Sequence, residues 1–307
     1  MSPIALSEMG PLGPKDPLPL GGLASRALDR IPPAPLLLLS ILSIQLGAAF
    51  ATFLFSSLGP AGTAFLTLAF SSGVLTLLSP PRIDRRLRDG AVLMALFGLA
   101  TACLALPFFL ALQRIPLGIA SAIGFLGPLG VAVATSHRIS HFLVIGIAAL
   151  GVGLLTPEVG GALDPGGLAL AALSALGWAA IVPFSKWAGR AFSGNDGLTF
   201  SFWIASVLLL PFALAEGSMV RATGLDVAGA LLVALLNAVL PAVLEFRALQ
   251  RMSARSYGVL VTLEPAIGAL VGALLLRQAI DLRMSVAIAC VTLAALGITL
   301  IDRDKAR

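Results

Sequence analysis

The segment from Ala111-Leu-Gln-Arg114 to Gly127-Pro128 returns without a gap, 137 residues later, as Ala248-Leu-Gln-Arg251 to Glu264-Pro265. Phe109 and Phe246, Leu126 and Leu263, and Ala132 and Ala269 fall into the same register. Self-similarity at a fixed offset restricts the chain to folds made of two related halves, because each copy must find equivalent neighbours. In each copy one apolar helix ends, the chain turns at an Arg, and a second apolar helix opens that is expected to break midway at a Pro. The copies differ at the residue before that Pro, which is Gly127 in the first and the carboxylate Glu264 in the second.

Composition says what surrounds such a repeat. Apolar residues make up 58% of the 307 and charged residues only 11%, against roughly 25% charged in soluble domains; the mean hydropathy is +1.00. A bilayer span needs about 20 apolar residues, with roughly 17 tolerated. On that basis the sequence predicts ten spans: 35–55, 62–79, 90–111, 118–135, 142–156, 168–187, 198–215, 226–246, 256–276 and 284–301. The fifth is the shortest. It is kept because its ending, Leu150-Gly-Val-Gly-Leu-Leu155, echoes Leu296-Gly-Ile-Thr-Leu-Ile301 in the tenth. With an even number of spans and both termini cytoplasmic, sixteen of the twenty Lys and Arg residues fall inside and four, Arg114, Arg221, Arg277 and Arg283, outside. That is the bias expected of inner-membrane loops, and it assigns the net charge of +5 to orientation rather than to nucleic-acid binding.

Five spans per repeat place Arg114 outside and its copy Arg251 inside, so the two halves are expected to be inverted in the membrane. The expected fold is therefore all-α and polytopic, with ten transmembrane helices as two inverted five-helix repeats. A cytoplasmic tail (1–33), a first repeat (34–156), a second repeat (168–301) and a short cytoplasmic tail (302–307) divide the chain. Leu46-Gly47 matches Leu176-Gly177 between the halves, and Pro80 matches Pro211 after a small shift. Inverted repeats with interrupted helices at corresponding positions point to a transporter whose binding site lies near mid-membrane.

At about 1.5 Å of rise per residue, Gln45, Ser71, Thr101, Trp178, Ser206, Asn237 and Glu264 fall near the bilayer centre, each on a different span. Thr63, Thr67 and Ser71 form a stripe on one helix face, the pattern of interhelical hydrogen bonding. Asn237 precedes Pro241 by one turn, so its carbonyl loses its normal intrahelical donor. Glu264 is different in kind, since a mid-membrane carboxyl must face a cavity, pair with a cation or carry a proton. No Lys or Arg is expected at its depth, which makes it the candidate proton carrier. Glu245 is the secondary candidate; it lies near Arg247 and Arg251 at the cytoplasmic edge, where an interfacial ion pair also accounts for it. Pro128 and Pro265 are the expected hinges. Substrate contacts are expected from Glu264, Asn237, Gln45, Trp178, Thr67, Thr101 and Ser71.

Enzyme signatures are absent: there is no His-Glu-x-x-His, no Gly-x-Ser-x-Gly and no Cys/His cluster at metal spacing. His137 and His141 share one loop and are too few for a metal site. Cys103 and Cys290 lie in apolar runs and read as packing residues. No cofactor is expected.

The chain resembles the drug/metabolite transporter superfamily. The residues that carry the likeness are Arg114-Ile-Pro-Leu-Gly-Ile-Ala120, Gly127-Pro128, Leu240-Pro241, Leu244-Glu245, Ala248-Leu249 and Thr262-Leu-Glu-Pro-Ala266, with Ile44-Gln-Leu-Gly47 and Gly177-Trp-Ala179. Within the superfamily it is most similar to the EamA branch and its bacterial threonine/homoserine exporters of the inner membrane, over about 35–301. It departs from that group at Thr67, Gly124 and Ile181, where an Arg, a Glu and a Tyr are usual. An Arg and a Glu lost together imply a lost pair. The resemblance implies export of a small amino acid or related metabolite by proton antiport with alternating access, with a small-molecule substrate, protons and the lipid bilayer as partners; a monomer is the expected unit, with a dimer as the alternative. The competing expectations are a carrier for larger hydrophobic or cationic compounds and, from another class, a membrane scaffold or intramembrane enzyme. Polar donors around Glu264 would favour the amino-acid reading, and aromatic walls the hydrophobic one.

Overall fold

A computed structural model describes residues 30–134, 164–192, 196–252, 257, 260–279 and 281–301. The described residues are helical throughout and include no strand. Their long helices are α1 (Pro33–Leu54), α2 (Gly59–Leu78), α3 (Ala91–Leu112), α4 (Leu117–Ala134), α5 (Pro165–Ala191), α6 (Asp196–Glu216), α7 (Gly224–Ala234, continuing as Leu240–Arg251), α8 (Glu264–Leu275) and α9 (Leu282–Ile301). Six of them are long and apolar enough to cross a membrane, and α4 and α8 add two shorter apolar helices. The chain is a membrane protein. The expected fifth span, 142–156, lies outside the described residues.

Helix starts follow the sequence chemistry. Pro occupies the first turn of α1, α2 and α5, where its missing N–H costs nothing. Asp164 caps α5 by accepting from Gly166 N at 3.0 Å. Thr223 and Asp226 form a reciprocal capping box at α7. Two helices borrow their caps from elsewhere in the fold. Glu216, at the end of α6, accepts from Ala61 N at 3.0 Å and Gly62 N at 3.2 Å at the start of α2; Gln278 Oε1 accepts from Leu117 N at 3.0 Å at the start of α4. We expect Glu216→Ala to lower stability by about 1 kcal/mol, the usual worth of a lost N-cap, read as a lower unfolding temperature of the detergent-solubilised protein.

The helices are apolar on every side, so small residues decide where they meet. α3 packs against α5, α2 against α6, and α4 against both α5 and α8. α7 packs on α1 and α2, α8 on α1, and α6 also on α3. Alanines at the interhelical contacts, among them Ala48, Ala49, Ala64, Ala120, Ala171 and Ala205, form much of the central core with Phe109, Leu117, Ile119 and Leu209. The stripe on α2 is satisfied mainly within its own helix: Thr63 Oγ1 donates to Gly59 O and Ser71 Oγ to Thr67 O, the i−4 pattern of hydroxyls in membrane helices.

The prolines act differently from one another. Pro241 removes an N–H from α7, and the helix answers with a π-helical turn over Leu235–Val239 that contains Asn237. Pro128 lies inside a helix that runs unbroken from Leu117 to Ala134, so the break expected there does not occur. Pro265 ends up in the first turn of α8, after a turn at Thr262-Leu263 that follows helical residues 260 and 261. The expected span 256–276 is therefore interrupted before Pro265, as the sequence predicts, and Glu264 opens its second piece. The reason is steric: the Pro265 ring clashes with the carbonyl four residues back and cannot donate to it. One copy of the repeat is thus broken and the other is not.

Candidate functional site

Glu264 is buried at 7% exposure, and Gln45 of α1 at 1%. Gln45 Nε2 donates toward both the main-chain carbonyl and Oε1 of Glu264, each at 3.5 Å. On its other side, Gln45 Oε1 accepts from Ser121 Oγ of α4 at 3.2 Å. Three helices therefore meet through one polar chain, Ser121–Gln45–Glu264, at the point where α8 begins. Gly268, one turn after Glu264, makes room for it, because a Cβ there would come within 3.0 Å of Gln45 Oε1 and 3.1 Å of Ser121 Oγ. An amide buried in hydrocarbon must find partners, and Gln45 uses both ends of its side chain to do so.

The second carboxyl, Glu245 of α7, is also held by α1. Glu245 Oε1 accepts from Ser40 Oγ at 3.0 Å. This hydroxyl contact holds Glu245 against α1. Arg251 donates to Ile31 O at 2.8 Å, tying the end of α7 to the start of α1. An apolar cluster of Leu36, Leu37 and Ile41 of α1 with Leu244 and Ala248 of α7 joins these two helices, with Tyr257, Leu260 and Ile267 packed on it.

The other expected site residues are distributed as follows. Asn237 is half-buried in the π-turn, with its side chain and backbone close against Gly47 of α1. Ser71 Oγ reaches the neighbouring helix at Ala234 O, 3.5 Å away. Thr67 Oγ1 is buried without a hydrogen-bond partner. Trp178 stacks edge-on against Phe125 at 6.0 Å and lies over Gly124. Thr101 Oγ1 donates to Phe97 O of its own helix at 2.9 Å, so its hydroxyl is spent locally. The structure thus unites Gln45 with Glu264, sets Asn237, Thr67 and Ser71 along the α1, α2 and α7 contacts, and places Trp178 at the α4–α5 contact. Ser121, Ser40 and Tyr257 were not among the expected site residues. Ser121 reads in sequence as one of many small packing residues, whereas Tyr257, the only tyrosine of the chain, could have been noticed.

A cavity of about 730 Å³ lies between α4 and α5 and is lined by apolar residues that include Gly127, Gly130, Ala175 and Leu176. Among the described residues, no side-chain carboxyl, amide or hydroxyl lines it.

Residues 165–300 match the model of the EamA-like transporter family. The chain is 31% identical over 278 residues to the threonine/homoserine exporter RhtA of Escherichia coli K12, covering 90% of this chain and 94% of that protein. It is 32% identical over 276 residues to the protein of the same name from Salmonella typhimurium LT2, covering 89% and 93%. A crystal structure of a protein with 18% identity superposes with a TM-score of 0.58, over 89% of this chain and 99% of the other, which supports the fold alone. With two relatives above 30% identity along nearly its whole length, the chain is a transporter, not an enzyme, and belongs to the EamA-like transporter family.

Proposed function

We propose that this protein exports a small amino acid of the threonine/homoserine kind across the bacterial inner membrane, in exchange for protons and by alternating access between two inverted five-helix halves. The observation that carries the reading is the buried Ser121–Gln45–Glu264 chain at the helix break. It sets polar donors and acceptors beside a carboxyl, as an amino acid's ammonium, carboxylate and hydroxyl require, whereas an apolar cargo would find nothing to match them. Thr67 Oγ1, buried and unpartnered, is a further hydroxyl open to a polar cargo. The names of the relatives supply the substrate class.

The inverted arrangement has its own support in the packing. Exchanging each of spans one to four with its counterpart five spans on turns the α3–α5 contact into α7–α1, α4–α5 into α8–α1, and α3–α6 into α7–α2; all six are present, while α2–α6 and α4–α8 map onto themselves. Finer detail agrees. Ser174 Oγ donates to Leu104 O between α5 and α3, and Ser43 Oγ to Leu236 O between α1 and α7. The matched glycines Gly47 and Gly177 lie against the α7 and α3 backbones respectively. In this reading both termini are cytoplasmic, which leaves sixteen of the twenty basic residues on the inner side.

In this reading the domains are the two five-helix repeats with short cytoplasmic tails, working as a monomer, and the break at α8 supplies the moving element. The test is uptake of labelled threonine into proteoliposomes under an imposed pH gradient, with unlabelled homoserine and a lipophilic cation as competitors. Gradient-dependent uptake that homoserine blocks supports the proposal. Threonine flux no greater than in protein-free vesicles, or competition by the lipophilic cation alone, sinks it in favour of a carrier for larger hydrophobic compounds.

A further inference from the structure

We propose that the Gln45 amide turns end for end as Glu264 gains or loses its proton, and that Ser121 is the positioning residue that partners the far end of the amide in both orientations. The inference rests on the proton-coupled reading above and adds to it the means by which both protonation states of Glu264 are matched.

The polar chain has a direction. Ser121 Oγ donates to Gln45 Oε1 at 3.2 Å, and Gln45 Nε2 donates toward Glu264 Oε1 at 3.5 Å. Each donor thus points from α4 through α1 to α8. An ionised carboxylate only accepts, so this direction suits the charged form of Glu264. Gln45 is 1% exposed and Ser121 3%, so these groups must satisfy one another rather than water. A protonated carboxyl carries an O–H that needs an acceptor, and an unpaired buried donor costs more than a made hydrogen bond contributes. The amide supplies that acceptor by rotating about its last side-chain torsion, which exchanges its oxygen and its NH2.

The turned amide presents Nε2 to α4, and a hydroxyl is the group that serves both orientations. It donates to Oε1 in one and accepts from Nε2 in the other. Its own proton is then free to turn back to a carbonyl of α4, as the hydroxyls of Thr63, Ser71 and Thr101 do in their helices. Gly268 supplies the room. A Cβ there would come within 3.0 Å of Gln45 Oε1 and 3.1 Å of Ser121 Oγ, whereas the bare glycine lets that end of the amide carry an oxygen or the bulkier NH2.

Few titratable groups surround the chain. The sequences of α1 and α4 hold none, and that of α8 holds Glu264 alone. α9, packed on α4 and α8, carries Arg283 in its first turn and Cys290 further on. α7, packed on α1, brings Asp226 in its capping box, Glu245, the buried Arg247 and Arg251. Tyr257 packs on the apolar cluster that joins α1 and α7. Of all these, Glu264 is the group to which the Gln45 amide donates.

The step is a proton transfer followed by a rotation. When the site opens to water, hydronium gives a proton to the Glu264 carboxylate: one O–H bond breaks, one forms, and charge is conserved. The amide then exchanges hydrogen bonds without breaking a covalent one. The reverse order releases the proton to water on the other side.

The decisive measurement is the pH-induced infrared difference spectrum of the full chain in lipid vesicles, with glutamine isotope-labelled at the side-chain carbonyl. In the parent, a labelled amide band should shift with the same pH midpoint as a carboxyl band, and both changes should vanish in Glu264→Gln. In Ser121→Ala the amide band should move at high pH, where Oε1 faces residue 121, and stay in place at low pH, where it faces Glu264. A band displaced equally at both pH values, or a carboxyl that titrates while the amide stays fixed, overturns the turning amide alone. If no carboxyl band titrates that Glu264→Gln removes, the proton-coupled reading falls with it. Transport supplies a second readout. Exchange of labelled for unlabelled threonine runs on the ionised form, whereas gradient-driven uptake must visit both forms. A Cβ at residue 268 crowds an NH2 more than an oxygen. Gly268→Ala should therefore hold the present orientation and lower the ratio of driven uptake to exchange about tenfold, the scale of one buried hydrogen bond. Equal loss of both fluxes in that variant makes Gly268 a packing residue and overturns its part in the turn. If it fails to fold, as judged by elution and unfolding temperature, the infrared measurement decides alone.

Discussion

Glu264→Gln is expected to abolish pH-gradient-driven threonine uptake, a loss on the order of a hundredfold or more, while the variant still folds and still exchanges labelled threonine measurably. The amide has the size and hydrogen-bonding capacity of the protonated carboxyl. Gln45 can therefore keep its contacts with residue 264, and Ser121 can keep its contact with Gln45. What the variant lacks is the ability to lose a proton when its side of the membrane opens to water. In a carrier that alternates access, a group charged only when exposed ties the direction of proton flow to that of cargo. The check is uptake with and without an imposed gradient at equal protein content. A Gln variant that follows the gradient as the parent does would move the coupling role to Glu245. Total loss of both uptake and exchange in a folded variant would instead make Glu264 a cargo-binding group alone.

Much of this site could be read before any coordinates, for physical reasons that differ residue by residue. Glu264 stands out because a carboxyl within an apolar run has so few permitted environments. Gln45 stands out for the weaker form of the same reason, and the two do meet. The interruption at Thr262-Leu263 follows from Pro265 and local sterics. The identical Pro in α4 does not break its helix, and no local rule distinguishes the two. The difference is tertiary. Gly127 packs tightly against the Ala175 carbonyl of α5, a close contact along which α4 continues straight. Glu264 instead points its side chain at Gln45. Counting back by the half-to-half offsets, Gly127 is the counterpart of Glu264 and Ala175 that of Gln45. One contact of the fold thus exists twice, as backbone packing in one half and as a polar pair in the other.

What stayed hidden depended on how helices cross. Ser121 is one small residue among Gly118, Ala120 and Ala122, and only the approach of α1 to α4 singles it out. Ser40 meets Glu245 across 205 residues of sequence. Thr101 turns its hydroxyl back to the Phe97 carbonyl of its own helix, as a hydroxyl in a helix can always do; depth in the membrane cannot reveal which way it turns. The apolar groove between α4 and α5 was equally unannounced, being a property of the spaces left between small residues.

Pro265→Ala is expected to slow transport through the backbone rather than through a titrating group. At present α8 starts at Glu264 because residue 265 has no N–H and its ring excludes the carbonyl of Val261 from the helical position. Ala restores the donor and removes the clash. The helical residues 260 and 261 can then run on through Thr262 and Leu263 into α8, closing the interruption. A recovered backbone hydrogen bond contributes about 1 kcal/mol, so the variant should be at least as abundant as the parent and should unfold at an equal or higher temperature. The same gain opposes any conformation in which the two pieces of the helix swing apart. A conformation favoured by about 1 kcal/mol more is left roughly fivefold more slowly, so threonine exchange and gradient-driven uptake should both fall roughly fivefold. Pro128→Ala is the control within the same molecule: α4 is already continuous, so its transport rate should move far less. Equal slowing by the two substitutions would assign the hinge to the repeat as a whole, and unchanged transport in Pro265→Ala would reduce the break at α8 to a feature of packing.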